Sequence, residues 1–578
     1  MSDAFGRTVV FNGEIYNYRE LRDSLKNDYS FRTESDTETI LAAYHKWGGE
    51  CVDHLRGMFA FAVWDSKKKR LFAARDRFGI KPFYYTEVGG VFYFASEIKA
   101  LMPFLPSIET NPEALQDYLV FQFSLGTKTL FKNILELPPA YSLTIENGER
   151  TVSKYWEVYY DLDFDHTAKY FHEKLEALID DSVQLHTRSD VPIGSYVSGG
   201  MDSSVIAAYA ARSQKKRGLP FAAFTGKFAE EGFDESGYAK SLANQEGIPL
   251  YEVTIGAQDF LNTIEKVIYH LDTPVAGPGS FPQYHVSKLA SQHRKVVLGG
   301  QGGDEIFGGY TRYLIGYFEQ CIKAAINGTM NNGNFIVTYE SIIPNLCSLK
   351  NYQPLLQEFW REGLFEDHNK RYFRLINRSS TLKEEIRQDF FGNYSPFESF
   401  LEIFHGKNIQ NESYFDSMTH FDFKTLLKAL LHVEDRMSMA HSVESRVPFL
   451  DHPLIEFAAT VPSDVKFKDG TLKRMLHQSV GHMLPKKIRE RKDKMGFPVP
   501  LNDWFKTDLK DFIFDLFHSE KIKKRPYFNQ KAILSNLNSE TKFGRKIWGL
   551  LSLEIWHQQF HDRHHEYKKL LEPQINKV

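Results

Sequence analysis

The chain has 578 residues, 42% of them hydrophobic and 25% charged, with a formal net charge of -3. That balance describes a globular protein of about two to four domains. It provides no global basic field to attract nucleic acid or an anionic membrane, and no apolar run reaches the roughly 20 residues of a membrane helix.

The opening residues, MSDAFGRTVV, do not read as a signal peptide, because no basic stretch precedes an apolar one. Up to about residue 160, short apolar strands alternate with Gly, Asp and Asn turns. Strand texture falls at residues 56–65, 69–79, 81–96 and 138–156, and helical periods at 36–47 and 111–121. These predict a strand-rich α+β unit. Cys51, Cys321 and Cys347 are far apart and form no CxxC pair, which argues against a disulfide framework or zinc and fits a reducing cytoplasm. Cys51 lies in a helix-like context and reads as a buried structural thiol.

Near Asp165 the texture changes. A helix is predicted at 169–186, a strand at 192–197, a glycine turn, and a helix at 203–213. Strands at 221–228, 249–256 and 295–300 then alternate with helices, the signature of a parallel, doubly wound sheet. After Tyr313 the chain reads as mostly helical, with a polar loop at 327–334. His564 and His565 are adjacent rather than four apart, a poor metal pair on a solvated helix end.

The sharpest chemical signal is IGSYVSGGMDSSVIAAYA, residues 193–210. A strand runs into Ser198, Gly199, Gly200 and Asp202, and a helix follows at once. Glycines turn the backbone tightly and expose N–H groups, and a helix N-terminus favours an anion, so phosphate is the natural guest. The hydroxyls of Ser198, Ser203 and Ser204 can donate to it. Asp202 repels bare phosphate, so its presence implies a bridging Mg²⁺. No GK[ST] occurs, so this is not a Walker loop; SGGMDSS resembles the PP-loop of ATP pyrophosphatases. A second strand and glycine turn, KVVLGGQGGDEIFGGYTRY (295–313), brings Asp304 as a second cation ligand to the same sheet edge.

NGEIYNY, TESDTE, RGMFAFAVWD, RDRFGIKPFYY and FASEIKAL, with SGGMDSS, FDES, GGDEIFGGY, EDRMSMAHSVESRVPFLD and RKDKMGFPVP, stand in order along nearly the whole chain. Together they resemble the glutamine-dependent asparagine synthetases of the B type. The resemblance implies an α+β N-terminal-nucleophile-type glutaminase domain, here incomplete, over residues 1–160. It implies an α/β PP-loop ATP pyrophosphatase-type synthetase domain with a helical C-terminal part over 165–578. Ammonia from glutamine would cross to a β-aspartyl-AMP made from aspartate and ATP with Mg²⁺. The adenylate removes the carboxylate's negative charge, and excluding water protects it.

On matching positions, the resemblance implies that Lys494, or Lys492 as fallback, meets the charge of the adenylating transition state. Thr225, Gly226 and Gly300 join the loop residues around ATP, and Asp234 and Glu235 lie near the nucleotide or substrate. Asn12 and Gly13 form an oxyanion hole, and Glu14 and Asp36 hold the glutamine α-amino group. Glu444 and Arg446 match a strongly patterned segment as scaffold or substrate residues. A homodimer is compatible with the resemblance, and the sequence does not fix the oligomeric state.

Two departures stand out. Gln301 occupies a position where the family has Glu, a base or positioning carboxylate; a carboxamide keeps the size but cannot accept a proton. This leaves open an acceptor other than aspartate, such as a cell-surface sugar acid, or a non-catalytic nucleotide-binding relative. The family glutaminase also begins with Cys, whose own amine is the base, whereas residue 2 here is Ser and Met1 matches an internal methionine. The expectation is that the segment with the nucleophile, an early strand and a glutamine-binding arginine is missing. Activity would then depend on ammonia, and apolar strand surface would be exposed in a weakly stable N-terminal half.

Overall fold

A computed structural model of the chain describes residues 1–230, 232–275, 277–327, 353–361, 363, 367–409, 414–467, 471–491, 499–537 and 545–571. An antiparallel sheet in the order β1-β2-β3-β7-β8 is formed by β1 (Arg7–Ile15), β2 (Gly57–Asp65), β3 (Arg70–Arg75), β7 (Tyr141–Glu146) and β8 (Glu149–Lys154). β4 (Tyr84–Val88), β5 (Val91–Ala95) and β6 (Leu135–Glu136) form a smaller sheet in the order β5-β4-β6. The alternation in GMFAFAVWD decides how β2 is covered. Side chains in a strand point alternately to opposite faces. Phe59, Phe61 and Val63 pack in one core with the helices Tyr18–Leu25 and Asp36–Trp47, while the small Ala60 and Ala62 pack with Phe83, Tyr85 and Leu137 in another.

β1 is an edge strand. Residues 1–3 fold back over its start: the Met1 amine donates to the Val9 carbonyl at 2.8 Å, and the Val9 amide returns a bond to the Met1 carbonyl at 2.8 Å. Val10 on β1 and Trp64 on β2 remain exposed.

The third sheet is parallel throughout, in the order β11-β10-β9-β12-β13. Its strands are β9 (Ile193–Tyr196), β10 (Phe221–Phe228), β11 (Leu250–Ile255), β12 (Val296–Leu298) and β13 (Glu444–Arg446). From β9 the chain moves outward through β10 to β11, then returns to place β12 on the other side of β9. The gap between the ends of β9 and β12 is therefore the topological switch point, where open α/β sheets bind ligands.

One expectation is corrected, the start of the helix after β9. Among the described residues the region after Tyr313 is mostly helical as expected, with Glu444–Arg446 adding edge strand β13; three residues with two charges carry no apolar alternation to announce it. The helix after β9 starts at Met201 rather than at Ser203, so Asp202, Ser203 and Ser204 stand in its first turn. Asn327 is the last described residue of the helix Thr311–Asn327, and the rest of the expected 327–334 loop lies outside the described residues.

The helix Lys546–Phe560 is buried almost throughout and ties the two ends of the chain together. Tyr118, on the helix Pro112–Phe121, donates to the Gly549 carbonyl at 3.0 Å, and Trp556 Nε1 donates to the Asp272 carbonyl at 2.9 Å. Two ion pairs join the antiparallel half to the rest: the buried Lys81 with Asp435 at 2.8 Å, and the half-buried Arg56 Nε with Asp451 at 2.8 Å. Among the described residues no helix is long and apolar enough to cross a membrane.

Candidate active site

Strand β9 delivers Ser198–Gly200 to the switch point, and the helix Met201–Lys216 leaves from it. The turn is held by its own hydroxyls. The Ser198 amide donates to Ser203 Oγ at 3.2 Å, the two hydroxyls lie 3.1 Å apart, and the Gly200 amide donates to Ser198 Oγ at 3.3 Å. The Ser204 hydroxyl is buried with no hydrogen-bond partner among the described residues. Helix N-terminal N–H groups and the helix dipole suit an anion at such a turn.

The loop after β12 touches it directly. A Cβ on Gly300 would fall 2.5 Å from the Ser203 backbone nitrogen, so only glycine fits where the loops cross. Asp202 and Asp304 are brought together as the sequence suggested. What joins them is a residue the sequence reading did not single out: Lys473 Nζ pairs with Asp202 and lies 2.6 Å from Asp304 Oδ1. Burial opposes a charged lysine there, but the two carboxylates win and raise its pKa. Lys473 holds a left-handed backbone (φ 54°) at the start of the helix Arg474–Val480, an uncommon conformation for a side-chain-bearing residue. Two carboxylates that share one cation also form a donor set that Mg²⁺ takes together with phosphate oxygens. Among the described residues no cluster of three or more His, Cys, Asp or Glu could hold a metal alone.

Thr225 and Gly226 follow Phe224 on β10, whose carbonyl accepts from the Val197 amide at 2.9 Å, so they flank the turn. The Asp234 carboxylate accepts from the Ser236 amide at 2.8 Å, a turn role. Glu235 pairs with Arg491, which also donates to the Gly199 carbonyl at 3.2 Å and stacks over Tyr238. Lys492 and Lys494 follow Arg491 in sequence but lie outside the described residues.

Gln301 donates through Nε2 to Glu434 Oε2 at 3.3 Å. Glu434, buried on the helix Leu426–Met439, was also missed by the sequence reading; burial pushes its pKa up, against bonds from Ser445 and Gln301. Beyond Asp304, burial and the Asp304 charge push the Glu305 carboxyl up, and Tyr310 donates to it at 2.5 Å. Arg312 lies over the Tyr310 ring and pairs with Asp422 at 2.6 Å. Arg378 forms no ion pair among the described residues, and the neighbouring charges of Arg545 and Arg312 disfavour its own.

The second group of candidates sits on the antiparallel sheet. Asn12 and Gly13 are paired with Ala60 and Phe59 of β2. Asn12 Nδ2 donates to Ser96 Oγ at 3.2 Å. Gly13 has φ +143°, and a Cβ there would fall 2.0 Å from the Met58 carbonyl oxygen, so glycine is obligatory. Asp36 accepts from the Ile15 amide at 3.0 Å. Glu14 reaches across to Arg446 of β13 at 3.4 Å; burial raises its pKa to about 7 despite that arginine. Cys51 is fully buried, and burial pushes its thiol pKa up.

The family model for asparagine synthase matches residues 174–558, and that for the glutamine amidotransferase domain matches 1–156. An asparagine synthetase [glutamine-hydrolyzing] 1 of Bacillus subtilis is 34% identical, over 95% of this chain and 85% of its own. A putative asparagine synthetase [glutamine-hydrolyzing] of Mycobacterium bovis is 30% identical, over 98% of this chain and 86% of its own. An amidase, chyE, of Penicillium rubens is 29% identical, over 80% of this chain and 71% of its own. The switch-point turns fall inside the first match and the Asn12–Glu14 strand inside the second, and the chain belongs to the asparagine synthase family.

Proposed function

We propose that this chain converts aspartate to asparagine with cleavage of ATP to AMP and pyrophosphate, through a β-aspartyl-AMP intermediate formed in residues 165–578. The observation that carries the reading is the meeting of two loops at the switch point, with Lys473 between Asp202 and Asp304. The Ser198–Gly200 turn and the first turn of its helix bind phosphate oxygens. Lys473 sets positive charge beside them, where charge develops as the aspartate oxygen attacks the α-phosphorus. Asp202 and Asp304 would hold Mg²⁺, which neutralises phosphate charge when bound.

Residues 1–160 form the glutaminase half, with Asn12 and Gly13 at the oxyanion hole and Glu14 and Asp36 at the glutamine amine. Residue 2 is Ser, and Cys51 is enclosed with a raised thiol pKa. In this reading ammonia is the nitrogen that attacks the adenylate, and glutamine is its source wherever a terminal nucleophile completes the glutaminase half. Incubation with ATP, Mg²⁺, aspartate and either ammonia or glutamine tests this by the AMP, pyrophosphate, asparagine and glutamate formed. Asparagine with ammonia and no glutamate from glutamine is expected; glutamate release by these 578 residues overturns the ammonia reading. Gln301 in place of Glu favours one alternative, a different carboxylate acceptor, and AMP formation with other acids but not with aspartate would select it.

A further inference from the structure

Gln301 cannot take a proton, yet amide formation must release one. When ammonia attacks the acyl carbon of an acyl adenylate, the nitrogen lone pair forms the new C–N bond. The carbonyl π pair moves to oxygen, then returns as the C–O bond to phosphate breaks and its electron pair leaves with AMP. The nitrogen, having begun with three hydrogens, ends as an amide with two. One proton must go to a base.

The carboxylate nearest Gln301 is Glu434. It is held by neutral donors from three different elements: Gln301 Nε2 from the loop after β12 at 3.3 Å, Gln283 Nε2 from the helix Ser280–Ser291 at 3.3 Å, and Ser445 Oγ from β13 at 2.5 Å. No cation pairs with it among the described residues. The charged and titratable groups that face it are Asp435, its neighbour on the helix, and Tyr196 on β9. Asp435 is itself engaged by Lys81 at 2.8 Å, and the Tyr196 hydroxyl by Ser287 at 2.8 Å. A buried carboxylate without a cation is costly even when hydrogen-bonded, and such groups cluster at functional sites.

Its place in the site is fixed by backbone. A Cβ on Gly299 would fall 2.9 Å from Glu434 Oε1, and a Cβ on the next residue, Gly300, 2.5 Å from the Ser203 nitrogen at the phosphate-facing turn. Two consecutive residues thus separate Glu434 from the turn where the adenylate forms.

We propose that Glu434 is the catalytic base of amide formation, accepting through Oε2 the proton released by the attacking ammonia, with Gln301 as the positioning residue that holds this oxygen. The inference rests on the aspartate-adenylating reading above. The carboxamide of Gln301 stands where the resemblance implies a glutamate, and the carboxylate of Glu434 lies directly across that contact on the facing helix. The proton then passes from Glu434 to solvent when the products leave. Burial raises the affinity of this carboxylate for a proton, which suits a base acting near neutral pH.

The experiment separates the two half-reactions in the full chain. Aspartate-dependent exchange of labelled pyrophosphate into ATP reads adenylation alone; asparagine formed from ammonia reads the whole. In Glu434→Gln, kcat for asparagine is expected to fall about 100-fold or more, with exchange within about threefold of the parent. Adding Gln301→Glu to that variant should restore at least about tenfold. Asparagine formation at the parental rate in Glu434→Gln overturns the inference, and so does an equal loss of exchange and synthesis. Should Glu434→Gln not fold, Gln301→Glu alone decides. Two adjoining carboxylates share a proton, so the acid limb of its kcat profile should move up by about a unit or more; an unmoved limb overturns the inference. Absence of aspartate-dependent exchange in the parent chain overturns the proposed function instead.

Discussion

In the parallel sheet, Ser203, Gly300, Asp304 and Lys473 come from three separate segments and meet through backbone approach and one shared cation. In the antiparallel sheet, Asn12, Gly13 and Glu14 are consecutive on one edge strand, and their polar groups are committed to Ser96 and Arg446. The first centre is gathered by topology at a switch point and depends on no single strand. The second is strung along β1 and steadied from outside, by β2 beneath it and by β13 of the other sheet. A centre of the first kind should fail locally, by losing its chemistry. A centre of the second kind should fail with its strand, by losing its fold.

The largest effect should come from Lys473→Met. It leaves two carboxylates facing each other without their cation, Asp202 mostly covered and Asp304 36% exposed; solvent screening reduces the loss to about 1–2 kcal/mol, and AMP formation should fall about 10²–10³-fold. Urea titration with and without Mg²⁺ checks it: the ion should restore stability more in the variant than in the parent. Near-normal AMP output would move the phosphate site away from the switch point.

Next, Gly300→Ala and Gly13→Ala oppose the two centres directly. Each places a methyl group against backbone, which costs about 1–3 kcal/mol or more. Gly300→Ala should depress AMP formation more, and Gly13→Ala should raise amide hydrogen exchange in β1 and β2 more. The reverse pattern would mean that the two centres do not differ in how they fail.

Glu14→Gln tests the tie across the sheets. The folded protein holds the Glu14 proton up to about pH 7, against an ordinary value of 4.5. It therefore binds the proton more tightly than the unfolded chain does, and stability is lost as pH rises through that window. The parent should lose up to about 3 kcal/mol more than Glu14→Gln between pH 5 and 8, solvent exposure reducing that figure. Urea midpoints at the two pH values check it.

The smallest effect is expected at Cys51. Cys51→Ala should destabilise by about 1 kcal/mol and leave ammonia-dependent synthesis unchanged, and native protein should resist alkylation at this thiol. Rapid labelling of Cys51 would reopen it as a nucleophile.

Where a signal is local, the sequence was a good guide. The helix Asp36–Trp47 and the strand Phe221–Phe228 fall at the expected residues because capping and apolar period are written into adjacent positions. The SGGMDSS turn was readable for the same reason: strand, glycines and helix are contiguous. Lys473, Glu434 and β13 were not, since each owes its role to a partner more than a hundred residues away. Lys473, set between Leu472 and Arg474, has no period and no motif of its own. Glu434 stood inside a recognised motif, but only the folded contact with Gln301 tells its job from that of Asp435 beside it.

That helix, Leu426–Met439, assigns three successive residues to three destinations: Glu434 to Gln301, Asp435 to Lys81, and Arg436 to the Ser96 carbonyl beside Asn12. Successive residues on a helix are turned by about 100°, so the three directions are fixed relative to one another by phase alone. A single inserted residue upstream within the helix would rotate all three out of place together, whereas a substitution removes one. The segment therefore behaves as a cam, whose angular setting matters more than any one of its teeth, and its length is the property least free to drift.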